Sequence, residues 1–150
     1  MIFYFILAIL FAIADQIVKF WVVANLELGE QVNFIPNIMS LFHIRNTGAA
    51  WSIFEGKMWF FTIISLVAIV VFSYLIYKYH RNGKLFSIAI ALILGGTLGN
   101  FIDRIRLGYV VDMFKTDFIS FPIFNLADVE LTVGVFLIFI YILFEERFKK

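Results

Sequence analysis

Cysteine is absent from this chain, and histidine, proline and charge are scarce. With no cysteine there is no disulfide, no thiolate metal site and no cysteine nucleophile. The two histidines, His43 and His80, fall in loops expected on opposite sides of a membrane, and no His-Glu-x-x-His pair is present to serve a metalloprotease. A Gly-x-Ser-x-Gly elbow for a serine nucleophile is missing, as is any Gly-rich phosphate loop. Charged residues are 15% of the chain, where soluble domains carry about 25%. The net charge of +1 comes without a basic stripe, which argues against nucleic-acid binding.

What is present is apolar surface. Hydrophobic residues make up 63% of the chain, against about 45–50% in soluble domains, and this places it in the membrane class. Its 150 residues suit a single domain, 1–150. Four segments, roughly 2–23, 58–78, 85–104 and 126–144, are apolar enough to cross a bilayer core that needs about 20 residues. The first is interrupted by Asp15 and Lys19, the third by glycines and Asn100, and the fourth opens with Asp128 and Glu130. The opening run imitates a secretory signal through Ala12-Ile13-Ala14, but it lacks the basic start of such peptides, so it is expected to remain as a span.

Lysine and arginine in the short loops orient the chain. Lys78, Arg81 and Lys84 in the loop 78–84, with Arg147, Lys149 and Lys150 in the tail, place that loop and both termini in the cytoplasm. The segment 24–57 is too long for a bare connector, and its β-branched and aromatic residues between turn-formers predict short strands. The expected fold is an all-α membrane protein: four transmembrane helices, with a small extracytoplasmic β-element between the first and second helices.

Charges inside a bilayer cost roughly 2.5–3.5 kcal/mol each on insertion scales, so each needs a reason. Asp15 and Lys19 stand four apart on one helical face and can pair, with Lys19 either snorkelling beside Trp21 or serving a site. In "GGTLGNFIDR" (95–104), Gly95 and Gly99 form a small-xxx-small pair for close helix approach. Asn100 needs a partner, and Asp103 beside Arg104 reads as an interfacial charge pair. "RNTGAAWS" (45–52) is turn chemistry with room for something to lie against it. In "FNLAD" (124–128), Asn125 is a good N-cap and Asp128 falls at N3, where an acid completes a capping box and faces the positive end of the helix dipole. His43 reads as a solvated strand residue, and Asp117 and Glu130 as surface charges.

With metal, cysteine, serine and histidine chemistry set aside, acids remain. Asp15, Asp103, Asp112 and Asp128 all converge on one face of the membrane. Two carboxylates held close share a proton: the ionised one draws a proton from water while the neutral one hydrogen-bonds to a scissile carbonyl. On the residues alone, a membrane aspartyl hydrolase, a proton- or ion-coupled membrane protein and a structural subunit of an assembly all stay open.

Taken in order, five motifs resemble the bacterial lipoprotein signal peptidase (signal peptidase II) family: "DQIVK" (15–19), "NTGAAWS" (46–52), "GGTLGNFIDR" (95–104), "VVDMF" (110–114) and "FNLAD" (124–128). Met113 departs from the aromatic that the family usually carries after its first aspartate, a change expected to affect packing more than chemistry. The resemblance implies an aspartic endopeptidase of the bacterial cytoplasmic membrane. It would remove signal peptides from diacylglyceryl-modified prolipoproteins, cutting before the lipidated cysteine. Asp112 and Asp128 take the places of the catalytic pair. Asp15, Lys19, Asn46, Gly48, Asn100, Asp103, Arg104, Asn125 and Ala127 match positions that build or support the site. The expected partners are the lipid-modified substrates and membrane lipid. No cofactor or metal is implied, and a site complete within one chain allows a monomer.

Overall fold

The chain's structure, a computed structural model, describes residues 1–48 and 57–144. Its elements run α1 (Ile2–Asn25), β1 (Gln31–Ile35), β2 (Met39–Asn46), α2 (Met58–Tyr79), α3 (Lys84–Leu107), β3 (Val110–Thr116) and α4 (Leu126–Leu143). All four helices are long and apolar enough to cross a membrane. At about 1.5 Å per residue they rise about 27–36 Å, against a hydrocarbon core of about 30 Å. Pro36 and Pro122 both fall between elements, so no helix loses a backbone hydrogen bond to a proline.

Helix α3 is the hub. It buries residues all along its length, from Ser87 to Asp103, whereas α2 buries only Ser65 and Ile76. Helices α1 and α4 reach α3 through its glycines. A Cβ on Gly95 would lie 2.9 Å from the Ala8 carbonyl oxygen, and one on Gly99 would lie 2.5 Å from the Asp15 carboxylate. Gly96 rests directly on the Ala127 carbonyl of α4. Small residues let backbones approach this closely where the hydrophobic effect between helices is weak. Ala8, Ile76, Ile90, Ala91 and Leu94 form the apolar core at the end of the bundle near the α2–α3 loop. Large side chains such as Phe3, Ile17, Val70 and Phe139 point outward, as lipid-facing residues should.

The expected β-element is present and larger than the sequence suggested. Three antiparallel strands pair in the order β1-β2-β3. Residues 110–116, outside the segment between the first and second helices, supply the third strand, so the sheet draws on two separate connections. Gly108 makes this possible: at φ 76° it ends α3 in the left-handed region, where glycine carries no steric penalty. Strand β3 then alternates. Val111 and Met113 pack with Val22 and Leu26 at the end of α1, and Asp112, opposite Ile44 of β2, takes the intervening position. Met113 is fully buried, in keeping with a packing role.

His43 corrects an expectation. It is buried, and its Nδ1 lies 2.9 Å from the Leu26 carbonyl oxygen at the end of α1. It fastens β2 to the helix rather than facing solvent. Ala49, Ala50, Trp51 and Ser52 of the expected turn, and the basic tail with Arg147, Lys149 and Lys150, lie outside the described residues.

Candidate active site

Asp112 and Asp128 are brought together by Asn125. This asparagine is the N-cap of α4: its Oδ1 accepts the Asp128 backbone N–H at 3.0 Å, and its own backbone N–H donates to Asp128 Oδ2 at 3.2 Å. That is the capping box expected from the sequence. The cap's remaining group, Nδ2, donates to Asp112 Oδ1 at 2.6 Å and to Asn100 Oδ1 at 3.0 Å. One side chain therefore caps the helix and ties both acids. Asn46, at the end of β2, donates through Nδ2 to Asp112 Oδ2 at 2.8 Å, and its Oδ1 accepts the Gly48 N–H at 2.9 Å. Asn100 of α3 donates to Asp128 Oδ1 at 2.9 Å.

Both carboxylates line one cavity of about 520 Å³. Its walls include Asn46, Gly48, Asn100, Arg104 and Asn125, and on the α4 side the less polar Val129, Thr132 and Val133. Asp112 is almost fully buried. Burial first, and the nearby Asp128 charge second, push its carboxyl up to about 7, despite the stabilising hydrogen bonds from Asn46 and Asn125. Buried acids with a like-charged neighbour behave this way, because the charged form is doubly disfavoured.

A second layer of charge holds this arrangement in place. Lys19 turns inward rather than snorkelling and is 3% exposed. Its ammonium pairs with Asp15 at 2.9 Å and Asp103 at 3.1 Å, and donates to Asn100 Oδ1 at 2.8 Å. Asp15 Oδ1 accepts the Ala127 N–H at 2.9 Å, in the first turn of α4. Asp103 Oδ2 accepts the Val111 N–H at 3.0 Å, next to Asp112. Asp103 is thus bound to Lys19, not to its neighbour Arg104. The Arg104 Nη1 donates instead to Ser65 Oγ of α2 at 3.1 Å, and its buried Nε has no hydrogen-bond partner among the described residues.

All eleven residues singled out from the sequence belong to this one network or line its cavity. Two contributors escaped the sequence reading. Gln16 Nε2 donates to Asp103 Oδ1 at 2.9 Å and to the Gly99 carbonyl at 3.1 Å; its place inside the "DQIVK" stretch was the available signal. Ser65 is a buried hydroxyl in an otherwise greasy helix, and nothing local distinguishes it. Glu130 is a correction: it is 5% exposed, and its Oε2 has no partner among the described residues. It faces inward because it follows Ala127 by three positions, on the α4 face that meets α3. Asp117 is exposed as expected and accepts a hydrogen bond from Ser40 Oγ at 2.7 Å. No cluster of three or more acidic or histidine side chains is placed to hold a metal ion among the described residues.

The family profile of Signal peptidase (SPase) II matches residues 7–144. The chain belongs to the signal peptidase II family. Signal peptidase II enzymes are membrane aspartyl proteases, and removal of signal peptides from prolipoproteins is the family function. The lipoprotein signal peptidase of Enterococcus faecalis is 50% identical over 147 residues, covering 98% of this chain and 91% of the relative. That of Latilactobacillus sakei is likewise 50% identical over 147 residues, covering 98% and 97%. A bacterial membrane enzyme solved in meso at 2.3 Å resolution superposes with a TM-score of 0.85 at 39% identity, over 93% of this chain and 87% of that one. A second, solved at 1.9 Å, gives a TM-score of 0.84 at 38% identity, over 94% and 92%. The chain is therefore a multi-pass membrane protein and a signal peptidase II enzyme.

Proposed function

We propose that Asp112 and Asp128 are the catalytic pair of this signal peptidase II, and that it cuts diacylglyceryl-modified prolipoproteins just before the lipidated cysteine. The observation that carries this is the double tie of Asn125, which joins both carboxylates at the wall of one cavity. Asp112 is the partner that holds the proton, since burial favours its neutral form. Asp128, at the positive end of α4, is the partner that acts as the base.

The steps follow from those states. Asp128 takes a proton from a water in the cavity as the water oxygen attacks the scissile carbonyl carbon. Asp112 donates a hydrogen bond, then its proton, to the carbonyl oxygen. The tetrahedral intermediate collapses with cleavage of the C–N bond; the proton held by Asp128 goes to the departing amine, and Asp112 regains its own from the hydroxyl. Such a dyad needs no cofactor. Arg104 lines the same cavity, a guanidinium suited to a substrate carbonyl. The Val129–Val133 side gives the substrate's acyl chains an apolar wall. Asp15, Lys19, Asp103 and Ala127 act one step back, fixing α4 and β3 relative to α3, while Asn46, Gly48 and Asn100 fix the acids themselves.

The basic loop holding Lys78, Arg81 and Lys84 lies at the end of the bundle opposite the sheet. By the positive-inside rule the site opens at the outer face of the cytoplasmic membrane, with both termini inside. The chain works as one domain, and as a monomer, because every residue of the site comes from one copy. The test is Asp112→Asn and Asp128→Asn made separately, with a lipidated prolipoprotein followed on a gel. Each should accumulate precursor while still inserting in the membrane. Normal processing by either variant sinks the dyad, and a change in ion flux with processing intact would mark a transporter instead.

A further inference from the structure

A second cavity, of about 550 Å³, lies on the other side of α3, between α3 and α1. It shares no lining residue with the cavity of Asp112 and Asp128. Its length is walled by Ile9, Ile13 and Ile17 of α1 and by Leu98 and Ile102 of α3. From Ile9 to Val23, both at its wall, α1 rises about 21 Å, more than one leaflet's share (~15 Å) of the hydrocarbon core. At the end nearer the sheet, the groove is closed by Arg106, in the last turn of α3.

The charges at this groove are not equivalent. Lys19 and Asp103 also line it, but they neutralise one another, with Asp15, inside the bundle. Arg106 is exposed, and its side chain makes no hydrogen bond or ion pair among the described residues. An apolar slot that spans one leaflet therefore ends at an unpaired guanidinium at the level of the headgroups. Guanidinium groups recognise phosphate through paired N–H donors, and basic pockets between membrane helices favour anionic headgroups.

We infer that the α1–α3 groove is a binding site for an anionic glycerophospholipid, one acyl chain lying along Ile9–Ile17 and the phosphate resting on Arg106. The lipid is a free membrane lipid and not the substrate's own. On the proposed function, the substrate's diacylglyceryl group hangs from the residue beside the scissile bond. It cannot also lie beyond a helix about 10 Å across. The occupied groove would brace α1 against α3 along the face that carries Gln16 and Asp103.

Native mass spectrometry of the full chain, released from nanodiscs of equal phosphatidylglycerol and phosphatidylcholine with matched chains, tests this directly. The expected result is phosphatidylglycerol retained about fivefold over phosphatidylcholine, what one basic residue near an anionic surface contributes. Arg106→Gln should equalise the two lipids, and Ile13→Trp, which fills the slot, should remove both. Equal retention by the unaltered chain, or a preference that survives Arg106→Gln, overturns the site. So does a dimer that Ile13→Trp dissolves, because a second copy would then be the occupant. The readout is binding, so it stands or falls separately from the catalytic assignment.

Discussion

Lys19 and Asn100 meet at 2.8 Å across the α1–α3 interface, and this contact joins the charge cluster of the bundle to the carboxylates of the site. Asn100 Oδ1 accepts from Lys19 and from Asn125, leaving its Nδ2 to donate to Asp128. The lysine therefore sets which way the Asn100 amide points. Lys19→Met would keep the stem but leave Asp15 and Asp103 without their cation. Removing one member of a buried ion pair costs about 3–5 kcal/mol. The expected outcome is a large drop in the thermal unfolding midpoint in detergent, together with lost processing. A midpoint close to that of the unaltered protein would mean that the two acids are neutral in the native state.

The pH dependence of processing follows from Asp112. Its carboxyl is raised to about 7 by burial and by the Asp128 charge, so below that pH Asp112 keeps its proton. As pH rises through about 7 the shared proton is lost, and the rate should fall by about tenfold per further pH unit. Because Asp128's charge is one of the causes, Asp128→Asn should lower the pH at which Asp112 titrates. Carbon-13 carboxyl spectra of labelled aspartate in that inactive variant would report it. An unchanged or higher midpoint contradicts the coupling.

Asn125 has two duties that substitution can separate. Asn125→Ala removes both the cap of α4, worth about 1 kcal/mol, and the donor to Asp112. Asn125→Ser keeps an acceptor for the Asp128 N–H and loses the 2.6 Å reach to Asp112. A hydrogen bond to a neutral carboxyl contributes about 0.5–1.5 kcal/mol, so both variants should lose about 2- to 10-fold in rate. Only the alanine should also lower the unfolding midpoint. Equal melting of the two, measured by intrinsic fluorescence, would show that capping contributes nothing here.

Glu130 sits buried with an oxygen that has no partner among the described residues, and such a group costs about 1–3 kcal/mol. Glu130→Gln should process nearly normally, since no hydrogen bond of the site runs through this side chain. Glu130→Leu should raise the unfolding midpoint while processing continues. A lower midpoint would reveal a hidden partner for the carboxylate.

Much of the site was legible because its residues come in short motifs whose local chemistry is recognisable. The capping box of Asn125 and Asp128 can be read from five consecutive letters, and an asparagine in an apolar span announces that it needs a partner. The direction of Lys19 could not be read in the same way. Snorkelling and burial are both open to a lysine near a helix end, and the decision rests with Asn100 and Asp103, more than eighty positions away. Glu130 failed for a related reason. Its burial depends on the rotation of α4, which is set where Gly96 meets Ala127 and Gly134 meets Ala89. Strand β3 depends on pairing with β2, which no local pattern records.

Gly96 offers the sharpest test of how the fold positions the site. A methyl group there would press on the Ala127 carbonyl and lie 3.0 Å from Leu131 Cγ. The carbonyl is backbone and cannot rotate away, so α4 itself must move. Overpacking of this kind costs about 1–3 kcal/mol. Ala127 donates to Asp15, and Asp128 follows it directly, so displacement of α4 carries the second carboxylate away from Asp112. Gly96→Ala should therefore insert in the membrane, melt lower and lose most of its processing. Gly108→Ala is the contrasting case. It has open space around the added methyl but a φ of 76°, so its penalty is confined to the turn, about 1 kcal/mol. Processing by Gly108→Ala should exceed that by Gly96→Ala at matched expression, and the reverse order would place the rigid element of the site in β3 rather than at the α3–α4 contact.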